Sequence, residues 1–209
     1  GKRYAVLCQR TSPRMEVFMI VDGKRELSYQ NIHTSEPYPP QFSPDSTKFC
    51  YVARSTNGKT FLVVNGEESD GVDQITTPPV WSPGGSRLAW GGAMGQQQLF
   101  YVDGKELPLL DRIPPGPTFQ FSPDGARTSW SYGSPNALTL VVDGARLPGV
   151  AGTGFAGTEA VDGPYSTLKF SPDGRHVAFA ARDAKDITRS GLWVDGKLIT
   201  RHTSPQLNR

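Results

Sequence analysis

Cysteine is nearly missing from this sequence, and so is most of what metal or thiol chemistry requires. Two cysteines, Cys8 and Cys50, stand 42 residues apart with no CxxC. A structural zinc site asks for about four ligands at short spacing, so the sequence excludes one. Only three histidines occur: His33, His176 and His202. No apolar run approaches the ~18 residues that a bilayer span needs. No leader segment is visible, although an opening at Gly1 is compatible with a leader having been removed. Lys and Arg (22) balance Asp and Glu (20) without a basic block, which excludes an electrostatic case for nucleic acid. Hydrophobic residues are scarce at 36%. Abundance lies elsewhere: 23 glycines and 18 prolines favour many short strands and turns over long helices.

Those turn residues repeat. "FSPD" at Phe42, "WSPG" at Trp81, "FSPD" at Phe121 and "FSPD" at Phe170 form one mark. The second is "VDG" or "VNG", with its glycine at positions 23, 66, 104, 144 and 196. The glycines are 43, 38, 40 and 52 residues apart, and the Ser-Pro marks 39, 40 and 49. A period near 40 with glycine and aromatic marks predicts one four-stranded propeller blade per repeat.

Each part of the unit has a physical reading. An aromatic-ended strand A meets Ser-Pro-Asp-Gly, where Pro presets φ, Asp bonds the backbone and Gly tolerates positive φ. Strand B follows, then a variable loop and a β-rich strand C. Asp-Gly or Asn-Gly makes a type I′ hairpin into a short strand D. Aligned B strands give a small column (Ala5, Cys50, Ala89, Ser129, Ala178) beside a large one (Val6, Tyr51, Trp90, Trp130, Phe179). Small against large is how stacked sheets interdigitate, so Cys50 reads as core. A Cys8–Cys50 disulfide requires a favourable alignment of two blades and is not expected. All four tryptophans fall at repeated positions and read as core.

"FSPDG", "AF" and "LWVDG" in series resemble the WD-like blades of TolB-type β-propellers, which also occur in propeller domains of prolyl-oligopeptidase-type peptidases. The resemblance covers nearly the whole chain. It implies a binding platform, without cofactor, in the periplasm or outside a bacterial cell. The sequence departs from the pattern at Ser46, which replaces the motif Gly, and at Gly84, which replaces the motif Asp.

The expected fold is therefore all-β, a five-bladed β-propeller of four-stranded antiparallel blades in a single domain. Its repeats fall approximately at residues 1–33, 34–73, 74–112, 113–155 and 156–209. Blade one has no visible strand A. Either the tail at 201–209 fills the gap, which is the favoured reading, or another chain or sequence outside this stretch does. Repeating turns are scaffold, so function is expected on the opposite face, in the loops that differ. The longest such loop offers Phe155 and Tyr165. Its G-T-G-F-A-G at 152–157 lacks the strand and helix of a dinucleotide site. The loop at 181–191 offers Arg182 and Asp183. On the A strands, Gln41, Val80, Gln120 and Lys169 are expected to face a channel that admits a small polar ligand. The acidic run at 67–73 matches no calcium loop and reads as a surface patch.

Catalysis finds little support. No A strand carries the carboxylate that a propeller glycosidase needs, and no GxSxG elbow is visible. The sequence is thus read as a non-catalytic binding or assembly module with a protein partner or self-association, no nucleic acid and no membrane insertion. The alternatives are a subunit of an extracellular polymer joined by strand or tail exchange, and a glycosidase or peptidase propeller.

Overall fold

The computed structural model describes residues 2–107, 118–134, 137–146, 168–182 and 189–203. Every regular element among them is a β-strand. The chain divides into two compact units, Gly1–Leu107 and Pro108–Arg209.

In the first unit, β1 (Ala5–Arg10), β2 (Glu16–Val21) and β3 (Lys24–Tyr29) form a three-stranded antiparallel sheet. Next come β4 (Asn31–Ile32), β5 (Gln41–Phe42), β6 (Phe49–Arg54), β7 (Thr60–Val64) and β8 (Glu67–Glu68). Here β4 and β5 both pair with β6, so the innermost strand is split by residues 33–40. Three of those eight residues are proline, which cannot donate to a ladder. The third sheet holds β9 (Gln74–Trp81), β10 (Leu88–Met94), β11 (Gln97–Val102) and β12 (Lys105–Glu106). Its innermost strand is continuous, and Pro78 and Pro79 fall at a register shift, where no ladder donor is called for.

The second unit repeats the plan. One sheet contains β13 (Thr118–Phe121), β14 (Thr128–Ser134), β15 (Ala137–Val142) and β16 (Ala145–Arg146). The other contains β17 (Lys169–Phe170), β18 (Val177–Arg182), β19 (Arg189–Val194) and β20 (Lys197–Thr203).

Apolar faces of successive sheets pack together within each unit. Met19, Val21, Phe49, Tyr51 and Val63 fill the space between the first two sheets. Val52, Leu62, Leu88, Trp90 and Tyr101 fill the next. In the second unit, Leu140, Val142, Leu168, Val177 and Phe179 do the same. A strand between two neighbours is apolar on both sides, which is why β6 reads "FCYVA" without alternation. The predicted columns follow. Cys50, Ala89, Ser129, Tyr51, Trp90, Trp130 and Phe179 are buried, whereas Val6 in β1 is 48% exposed. Both cysteines are free, and burial pushes the Cys50 thiol up to about 12.

The five D-G hairpins are built alike. Asp22, Asn65, Asp103, Asp143 and Asp195 have φ between 49° and 54°, each followed by Gly at 74° to 83°, the type I′ signature.

Candidate functional site

Charge in this sequence looks scattered, but the fold gathers part of it into a repeated clasp. One residue near the start of each second strand is basic: Arg3, Lys48, Arg87, Arg127 and His176. Four of them meet the hairpin aspartate of their own sheet. Arg3 Nε lies 2.7 Å from Asp22, Arg87 Nε 2.9 Å from Asp103, Arg127 Nε 2.8 Å from Asp143, and His176 Nδ1 2.7 Å from Asp195. The other carboxylate oxygen accepts the next backbone N–H, from Tyr4, Leu88, Thr128 and Val177. These bonds hold the carboxyls of Asp22 and Asp195 below the usual range. In the second sheet Asn65 keeps the backbone bond to Phe49 and has no charge to offer Lys48.

The same cations reach into the following sheet. Arg3 Nη1 donates to Ser46 O, Lys48 Nζ to Ser86 O at 2.7 Å, and Arg127 Nη1 to Arg175 O at 2.6 Å. Each also stands over that sheet's inner aromatic: Arg3 over Phe42, Lys48 over Trp81 and Arg127 over Phe170, 5.1 to 5.9 Å from the ring centre. Sequence reading missed this device. Its only signal was the basic residue recurring six positions after each inner aromatic.

The Ser-Pro-Asp turns behave as expected of scaffold. Asp45 bonds Ser43 Oγ and Thr47 N, Asp124 bonds Ser122 Oγ and Ala126 N, and Asp173 bonds Ser171 Oγ and Arg175 N. The serine hydroxyl is the leading cause that holds each of these carboxyls low. At Gly84 no carboxylate is present, and Arg87 N still bonds Ser82 Oγ.

The expected channel residues are placed as follows. Gln41 is half-buried, and its Nε2 donates to Pro79 O in the next inner strand at 3.1 Å. Gln120 does the same to Leu168 O at 2.9 Å. Both amides therefore tie adjacent inner strands together, and their donors are engaged by backbone. Val80 is half-buried and Lys169 is exposed. Phe155, Tyr165 and Asp183 lie outside the described residues, as does the loop at 152–157; Arg182 ends β18, and its side chain also lies outside them. In the acidic run, Glu67, Glu68 and Asp70 are exposed, and Asp73 bonds Lys59 Nζ and Gly95 N. No three metal-ligating side chains cluster among the described residues.

Two features remain open to a partner. One is the free edge of β1. In the other four sheets the strand equivalent to β1 pairs on both sides, whereas among the described residues β1 pairs with β2 alone; the end of the tail expected there, residues 204–209, lies outside them. Tyr4 (52%), Val6 (48%) and Leu7 (43%) are exposed along it. The other is a cleft of about 570 Å³ between the second and third sheets. It is lined by Leu62, Val64, Leu88, Trp81 and Trp90, with Lys48, Glu67, Arg87 and Asp103 among its polar groups. It sits beside the repeating turns, not beside the variable loops.

Comparison with solved structures identifies the class. The chain aligns with a eukaryotic initiation factor at 12% identity and TM-score 0.53, covering 96% of this chain and 52% of that one. It aligns with the β-propeller domain of the Trilobed protease from Pyrococcus furiosus at 11% identity and TM-score 0.50, covering 95% and 68%. TolB from Acinetobacter baumannii aligns at 17% identity and TM-score 0.42, covering 92% and 49%. The chain thus spans about half the length of TolB and of the initiation factor. No family model and no curated protein matches the sequence. The sheets are those of a β-propeller.

Proposed function

We propose that this chain is a non-catalytic binding or assembly module with five blades, which takes an extended segment of a protein partner along β1. The observation that carries the reading is the edge of β1, unpaired among the described residues, with its exposed apolar residues. An edge strand presents a row of unsatisfied N–H and C=O groups, and natural sheets usually cover or charge such an edge. Here it is left apolar, at the position where each other blade receives an inner strand ending in Phe or Trp. Strand addition supplies main-chain hydrogen bonds for affinity and side-chain pockets for specificity. The segment is read as one of inner-strand type: extended, with an aromatic residue before a turn. A second copy of the chain is the first alternative donor, which makes the module a polymer subunit. The sequence resemblance supports placing it in the periplasm or outside the cell.

The test is hydrogen exchange on the intact chain with a synthetic peptide of sequence PPQFSPD. Added peptide is expected to protect amides in β1, and Val6→Lys is expected to abolish that protection. Protection of β1 that rises with protein concentration alone marks self-association. If neither the peptide nor concentration protects β1, the reading fails.

A further inference from the structure

We infer that the cleft between the second and third blades docks a basic, apolar-flanked peptide segment of a protein partner. The segment seats an apolar side chain on Trp81, Trp90 and Leu88 and sets a Lys or Arg beside Glu67. The inference rests on the protein-binding reading above and gives it a second contact surface.

The volume of about 570 Å³ falls in the range of sites that bury a side chain or small ligand, about 300–1,000 Å³. The apolar wall is pre-formed. Trp90 is 3% exposed and stacks on Tyr101 with ring centres 4.3 Å apart, so it holds its position without a ligand. Charge then selects the occupant. Glu67 pairs opposite Val64, whose side chain packs toward Trp81 and Trp90. That register puts the Glu67 carboxylate on the cleft side of β8. Among the described residues it has no ion-pair or hydrogen-bond partner. The cations of the cleft are engaged: Arg87 is paired with Asp103, and Lys48 donates to Ser86 O while lying over Trp81.

Position separates the two signs. Lys48 precedes the second strand and Glu67 opens the fourth, so their backbones are two strand spacings, about 10 Å, apart. Lys48 Nζ is held on Ser86 O of the next sheet, which leaves Glu67 to an incoming cation. A wholly apolar ligand would desolvate Glu67 without compensation, and a bare cation would leave the indoles unused. A basic side chain next to an apolar one answers both. Among the described residues the outer edge of β8 is unpaired, and Glu67 and Glu68 of β8 line the cleft, so extended backbone has a place to lie.

The experiment is an NMR titration of the full ¹⁵N-labelled chain, following the indole N–H of Trp81 and the amide of Gly104. Two probes are used, acetyl-Leu-Arg-amide and acetyl-Leu-Glu-amide. The arginine peptide is expected to give saturable shifts at both reporters. Glu67→Gln should weaken it about fivefold, the weight of one ion pair at a cleft rim. Glu67→Lys should reverse the preference between the probes. Equal binding of both probes, indifference to Glu67→Gln, or no saturable shift overturns the inference. Val6→Lys, which removes strand addition at β1, should leave these shifts unchanged. A failed cleft titration with intact β1 protection therefore overturns the cleft alone; failure of both overturns the module itself.

Discussion

At Gly85 there is no room for a β-carbon. Its φ is +75°, and a Cβ would sit 2.5 Å from Asp45 Oδ1 of the preceding turn. Gly174 repeats the arrangement against Asp124 at 2.9 Å. Ser46 occupies the matching place in the second blade, with φ of 59°. Ser46 is exposed whereas Gly85 and Gly174 are buried, so a non-glycine is accommodated there. Opposite effects follow at two equivalent positions. Gly85→Ala should lower stability by about 1–3 kcal/mol, from positive φ plus the collision. Ser46→Gly should be neutral or stabilising by up to about 1 kcal/mol. Urea unfolding of the two variants checks both; equal shifts would contradict the crowding account. The motif departure at Ser46 was visible in the sequence. Its reason was not, because the neighbour that enforces glycine is some 40 residues away along the chain.

Between strands and between blades, the repeated clasp is the main polar device. Arg127 joins four partners: the Asp143 carboxylate, the Gly174 and Arg175 carbonyls and the Phe170 ring. Its side chain is 31% exposed, so the ion pair is partly screened. Arg127→Ala should destabilise by about 1–2 kcal/mol, through lost charged hydrogen bonds and lost packing together. Arg127→Lys should recover part of this, because Lys48 already makes the inter-blade contacts as a lysine. Thermal unfolding of both variants is the measurement, and a lysine variant no better than alanine would assign the effect to the Asp143 pair alone. The strands themselves were legible: Asp-Gly or Asn-Gly hairpins mark all five sheets, and the inner aromatics mark the last four. Their lengths were not. The split of β4 from β5, against the continuous β9, depends on where prolines fall relative to a ladder that the sequence does not display.

For the molecule as a whole, acid is the informative variable. Glu16, Asp22, Asp45, Asp73, Asp124, Asp173 and Asp195 all have carboxyls held below their ordinary range by hydrogen bonds and cations. A carboxyl lowered in the folded state contributes stability that is present above its unfolded value, about 3.9 for Asp. That contribution is lost as pH falls through the folded value. The melting temperature should therefore hold nearly level from pH 7 to about 5 and fall below about pH 4. Calorimetry across that range checks it; a melting temperature that rises on acidification would contradict the sign.

The sequence alone determined the blade plan, because that plan is local. Turn residues, alternation and a period near 40 act within one repeat and recur whatever the neighbours do. It also marked the first sheet as the one that shows no inner strand among the described residues. Tertiary structure decided what those repeats do to each other. Only packing shows that Gln41 and Gln120 tie inner strands together, that scattered cations form clasps, and that a cleft opens beside turns that look like pure scaffold. The clasp ion pairs span 16 to 19 positions within one sheet, but the amide ties and the cations' reach into the following sheet join residues roughly 40 positions apart, which meet only after the sheets have stacked.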